Sequence, residues 1–204
     1  MLTVVTLHNY ITDMDIVMFY GSRRKSRLGI RAVDFVRPML EERGYTVTLL
    51  DANEIALPIL EAPYHHLSEE ERPKILTEIG KQIEDADGFV IVAGEYNHSI
   101  QPGLSNLIDH FYDQYAYKPA VIVSYSYGMF AGVRAEVQLR ALLGEVGMTV
   151  IQKSLPIPKI SDNLGADGSA VNERMPEFAA PVLDQFDWFV STLAAGRKRG
   201  TPDS

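Results

Sequence analysis

The chain has 204 residues, 46% of them apolar and 23% charged, which fits one globular domain with a substantial core. Its net charge is −8 at pH 7 and it has no cysteine, which excludes a broad basic footprint for nucleic acid, disulfides, thiolate metal sites, iron–sulfur clusters and cysteine nucleophiles. No stretch reaches the roughly 18 apolar residues of a membrane span, and the N-terminus lacks the basic-then-apolar pattern of a signal peptide.

Residues 1–14 read as an extension, 15–196 as a single domain and 197–204 as a solvated tail. Asp15 to Tyr20 is a short apolar run ending at Gly21, a strand followed by a turn. Ser26 to Arg43 has helical spacing, with Ser26 as N-cap, Gly44 as C-cap and Pro38 expected to bend or interrupt it. Tyr45 to Leu50 is the second strand, and a Pro- and His-rich loop follows. Ser68 with Glu71 three residues on forms a capping box for a helix running to about Asp85. Gly88 to Ala93 is a continuous apolar run, as in a buried parallel strand. Helices are predicted over 102–112, 132–145 and 173–193, and strands over 120–124 and from 148 to 152.

Strands separated by helices imply an α/β fold, a doubly wound sheet of five parallel strands with helices on both faces. The flavodoxin-like order 2-1-3-4-5 is expected. Ligands then sit at the carboxyl ends of the strands, which brings three loops together: 21–27, 94–103 and 124–132.

The first loop, Gly21-Ser22-Arg23-Arg24-Lys25-Ser26, joins a strand to a helix. Free N–H groups at a helix N-terminus, the Ser22 and Ser26 hydroxyls and the Arg24 guanidinium could hold a terminal phosphate without a metal. The loop matches neither G-x-G-x-x-G nor a Walker A sequence. A capped helix with a solvated basic face is the plainer alternative. The second loop, 94–103, can offer backbone groups to the polar edge of a heterocycle, with Tyr96 covering an aromatic face; a capped connecting loop explains it as well.

Glu95-Tyr96-Asn97, then Ser99, then Pro102-Gly103-Leu104 and Asn106 resemble the E-Y-N-x-S-x-P-x-x-L-K-N-A-I-D signature of the NADPH-dependent FMN reductase family. Residues 21–26 resemble that family's G-S-x-R-x-x-S phosphate loop, and 126–135 its S-x-G-x-x-G-G-x-R-A loop. Ser105 replaces the usual lysine and Ala131 one glycine. The resemblance covers residues 15 to about 160. It implies that Ser22, Arg24 and Ser26 hold the FMN phosphate. Glu95, Tyr96, Asn97 and His98 would contact the isoalloxazine largely through backbone, and Ser126, Gly128 and Gly132 would line the other side. It also implies reduction of FMN by NADPH, a small-molecule electron acceptor such as a flavin or quinone, and a homodimer or homotetramer. The acidic charge, the lack of an apolar span and the absence of cysteine point to a cytoplasmic setting without nucleic-acid or membrane partners.

Other readings carry less. Ser124-Tyr125-Ser126-Tyr127-Gly128 lacks the first glycine of a nucleophile elbow, and all five histidines precede Ser126, against the hydrolase order. His65-His66 with Glu61 reads as a surface loop, since adjacent histidines do not easily face one metal. Asp51 reads as a polar strand end. Phe111, Tyr112, Tyr115 and Tyr117 suit core packing or a dimer interface, and Phe186, Trp188 and Phe189 read as core. A flavodoxin-like electron carrier or FMN-binding sensor, lacking a nicotinamide site, is the serious rival.

Overall fold

The structure, a computed structural model, describes residues 14–202; most of the N-terminal extension and the last two residues lie outside them. Four full parallel strands make the sheet: β1 (Met14–Tyr20), β2 (Tyr45–Asp51), β3 (Gly88–Gly94) and β4 (Pro119–Tyr125). Two short strands, β5 (Thr149–Val150) and β6 (Leu155–Ile157), share the far edge. The order is β2-β1-β3-β4-β5, with β6 also on β4.

Alternate residues of each strand feed two layers, because successive side chains point to opposite faces. Ile16, Met18, Val90 and Val92 pack beneath α1 (Ile30–Glu41) and α7 (Met175–Arg197). Val17, Phe19, Phe89 and Ile91 pack beneath α3 (Lys74–Asp85), α4 (Pro102–Asp109) and α5 (Val133–Glu145). Two single turns complete the chain, α2 (Ala52–Ile55) and α6 (Ile160–Asn163).

Several boundaries differ from expectation for physical reasons. The first helix starts at Ile30, so Ser26 is not its N-cap; Gly29 holds that position with no side-chain cap. Pro38 lies inside α1 without ending it. Ser68 and Glu71 do bond, through Ser68 N and Oγ at 3.0 and 2.8 Å, but they close a separate turn, and α3 begins only after Pro73. The fifth strand is broken. After Val150 the chain leaves β4, and Arg140 of α5 donates to the freed carbonyls of Ile151 and Gln152 at 2.9 and 3.1 Å. It returns as β6 around Pro156, which an edge strand tolerates.

Arg197, expected at the head of a solvated tail, ends α7 and pairs with Asp87 at 2.7 Å. Phe111 and Tyr115 are core, whereas Tyr112 and Tyr117 are exposed. Trp188, read as core, is 50% exposed and packs edge-on against Phe189, while Phe186 is fully buried. No described helix is long and apolar enough to cross a membrane.

Candidate flavin-binding site

The loops after β1, β3 and β4 meet at the carboxyl ends of the strands. They enclose a cleft of about 130 Å³ lined by Ser22, Arg24, Ser26, Glu95, Tyr96 and Ser126. Six of the ten site residues expected from sequence therefore share one cavity. Arg27, Leu28, Gly94, Tyr125, Tyr127 and Ile160 complete its lining.

Gly21, which opens the first loop, was expected to serve a tight turn, but its φ is not positive. It is small because α4 crosses close by: a Cβ there would lie 2.2 Å from Leu104 Cβ. Ser22 is buried, and its hydroxyl meets the Tyr96 hydroxyl at 2.8 Å. The Arg24 guanidinium stacks 3.9 Å from the Tyr96 ring centroid and has no carboxylate partner among the described residues. Among the described residues, the backbone N–H groups of residues 23–26 find no acceptor in the chain.

Ser26 follows Arg24 by two residues, one short of the x-x-S spacing. The residue three on is Arg27, whose guanidinium is bound to Asp51 and Glu54. Asp51 also caps α2 through the Asn53 N–H at 2.9 Å, so this strand end anchors the loop.

The loop after β3 folds as a two-residue hairpin. Tyr96 and Ser99 exchange backbone hydrogen bonds at 3.0 and 2.9 Å, and both central residues have positive φ, Asn97 at 51° and His98 at 63°. Such a primed turn favours Asn-Gly, and His98 departs from that preference. Asn97 and His98 form the exposed tip and do not line the cleft.

Glu95 does not present its carboxylate as a free group. It accepts from the Arg134 backbone N–H at 3.1 Å and the Arg134 guanidinium at 3.0 Å, at the start of α5. Tyr96, expected over an aromatic face, instead has its ring covered by Arg24 and its hydroxyl on Ser22. Gln101 stands where the family signature has proline. It is fully buried, accepts from Gly94 N–H at 2.9 Å and donates to the Tyr125 hydroxyl at 3.2 Å. Burial raises the Tyr125 pKa. Burial likewise raises that of Tyr20, whose hydroxyl has no hydrogen-bond partner beneath the cleft.

The loop after β4 is held by Ser126: its N–H donates to Ile157 O, its carbonyl accepts from Ile160 N–H, and its hydroxyl donates to Gly128 O. Gly128 does not line the cleft, and a Cβ there would meet no heavy atom within 4 Å, so the chain itself does not require glycine there. Gly132 lies outside the cleft, with φ +76° and the Tyr125 carbonyl 2.7 Å from where a Cβ would be. Ala131, in place of a family glycine, also has positive φ, 53°.

The donor set fits a phosphate monoester: an unpaired guanidinium, two serine hydroxyls and a run of free N–H groups, with no metal-ligand cluster among the described residues. A larger cavity of about 680 Å³ beside Met129, Phe130 and Phe178 has no charged side chain in its lining.

Comparison with known proteins identifies the family of the chain. The family model for NADPH-dependent FMN reductases matches residues 14–162. A quinone reductase of Escherichia coli (strain K12) is 31% identical over 179 residues, covering 84% of this chain and 86% of its own. The NAD(P)H-dependent FMN reductase LOT6 of Saccharomyces cerevisiae is 29% identical over 150 residues, 68% and 78% of the two chains. Among solved structures, the flavoenzyme NAD(P)H:(acceptor) oxidoreductase FerB from Paracoccus denitrificans superposes with a TM-score of 0.72 at 22% identity, over 88% of this chain and 98% of that one. The fold is flavodoxin-like, and the family match and sequence relatives make the chain an oxidoreductase. The chain belongs to the NADPH-dependent FMN reductase family, whose cofactors are FMN and NAD(P)H.

Proposed function

We propose that the protein is a cytoplasmic NAD(P)H-dependent reductase of quinones or free flavins that works by a ping-pong sequence through one FMN per chain. The observation that carries this reading is the anion cradle of Ser22, Arg24, Ser26 and the N–H groups of residues 23–26, which find no acceptor among the described residues, beside a turn that exposes backbone. Bound FMN supplies the redox chemistry, accepting a hydride from the nicotinamide and passing reducing equivalents to the acceptor.

The chain's own residues bind and orient. Arg24 and the N–H groups of residues 23–26 neutralise the phosphate. Tyr96 fixes the Ser22 hydroxyl through their 2.8 Å contact. Tyr96 on one loop and Ser126 and Tyr127 on the other line the cleft that the ring would enter, with the Asn97-His98 tip at its rim. The cleft contains no acid–base dyad, and the reading requires none. The homodimer or homotetramer in this reading is supported by apolar side chains standing in solvent beside the cleft: Tyr127 is 82% exposed, Met129 73% and Phe130 63%.

In this reading the bound ring offers a single stacking surface to both donor and acceptor. Hydride transfer needs its atoms about 3–3.5 Å apart and aligned, so donor and acceptor take turns on that surface. Varying NADPH at several fixed quinone concentrations should give parallel double-reciprocal lines, with high quinone competing against NADPH. Intersecting lines would show a ternary complex and overturn the ping-pong order.

A further inference from the structure

The turn at Asn97-His98 has two consecutive non-glycine residues at positive φ. Asparagine suits the first of these positions, but histidine at the second is unfavourable and persists only where the surroundings over-determine it. What surrounds this turn is α5. Gln138 accepts from the Ser99 hydroxyl through Oε1 at 2.7 Å and donates from Nε2 to the His98 carbonyl at 2.7 Å. One helical turn earlier, Arg134 holds Glu95 through its backbone N–H and guanidinium. Residues four apart share a helix face, so one face of α5 grips the turn at Glu95, His98 and Ser99. Gln138 itself is exposed and contributes nothing to the core.

We propose that Gln138 is a positioning residue for the flavin ring: its carboxamide holds the Asn97-His98 turn in the conformation that presents backbone groups to the isoalloxazine. This rests on the FMN reading above. With the His98 carbonyl engaged by Gln138 and the Tyr96 and Ser99 backbones paired with each other, the unpaired backbone groups of the tip are fixed in direction. Loss of the carboxamide frees the strained turn to relax, and the ring must then re-order it on binding.

The test compares FMN and riboflavin binding to the full-length apoprotein, followed by quenching of flavin fluorescence. Gln138→Ala should weaken FMN and riboflavin by the same factor, about tenfold, the loss of one to two hydrogen bonds' worth of ordering. Gln138→Glu keeps an acceptor for Ser99 but cannot donate to the His98 carbonyl. It should behave like the alanine variant, and the visible absorption band of bound FMN should shift in both. Thermal melting of the apoproteins should be unchanged, since Gln138 is on the surface. Wild-type affinity for both flavins in the two variants would overturn the assignment, as would weakening of FMN alone. Failure of the wild-type protein to bind either flavin would instead overturn the FMN reading.

Discussion

The hydroxyls of Ser22 and Tyr96 lie 2.8 Å apart across the cleft, tying the loop after β1 to the loop after β3. Arg24 covers the same tyrosine ring at 3.9 Å. Three residues separated by up to 74 positions in sequence thus form one unit, and in the proposed FMN site the phosphate end depends on all three.

Arg24→Ala removes the unpaired guanidinium. A charge-assisted contact contributes about 1.5–3 kcal/mol, so FMN affinity should fall roughly ten- to a hundred-fold. Riboflavin, which has no phosphate, should bind almost as before in a fluorescence titration. Equal weakening of both would show that Arg24 supports Tyr96 and the loop without meeting the phosphate.

Tyr96→Phe keeps the ring under Arg24 and deletes only the contact to Ser22. The loss of one neutral hydrogen bond is about 0.5–1.5 kcal/mol. Calorimetric titration should show FMN binding weakened by about two- to ten-fold.

Gly132→Ala should destabilise the fold by about 1–3 kcal/mol, because alanine is strained at φ +76° and its Cβ would press on the Tyr125 carbonyl. A thermal scan should place its midpoint several degrees below that of the wild type.

Lys118 is 6% exposed and donates from Nζ to the carbonyls of Ile83 and Glu84 at the end of α3, at 2.7 and 2.6 Å. Burial, with Arg197 nearby, lowers its pKa to about 8, against about 10.4 in an unfolded chain. Below pH 8 both states hold the proton and the cost of burying the ammonium is fully present. Between about 8 and 10.4 the unfolded state binds more protons, so this residue's contribution makes stability rise with pH. Denaturant midpoints measured across that range should climb more steeply for the wild type than for Lys118→Met.

The parallel sheet was legible because short apolar runs at 88–93 and 120–124, bounded by turn residues, alternate with segments of helical spacing. The three loops were legible because glycines and polar residues punctuate those runs. What escaped is long-range or depends on single-residue register. Arg27, Tyr125 and Ile160 line the cleft from three different segments, and no local pattern joins them. Counting the motif spacing strictly would have exposed Arg27 at the serine position and Gln101 at the proline position. The break between β5 and β6 depends on Arg140 taking two carbonyls, a contact invisible in periodicity. Trp188 was misread because a 23-residue helix covers the sheet with only part of its circumference.

In the proposed function this chain itself reduces its bound flavin with a nicotinamide nucleotide. The most direct measurement loads the protein with FMN, excludes oxygen, and adds NADPH or NADH while the flavin absorption band is followed. One equivalent of reductant per bound flavin should bleach the band, and a quinone added afterwards should restore it. An undiminished band with both nucleotides would contradict the account and leave an electron carrier that requires a separate reductase.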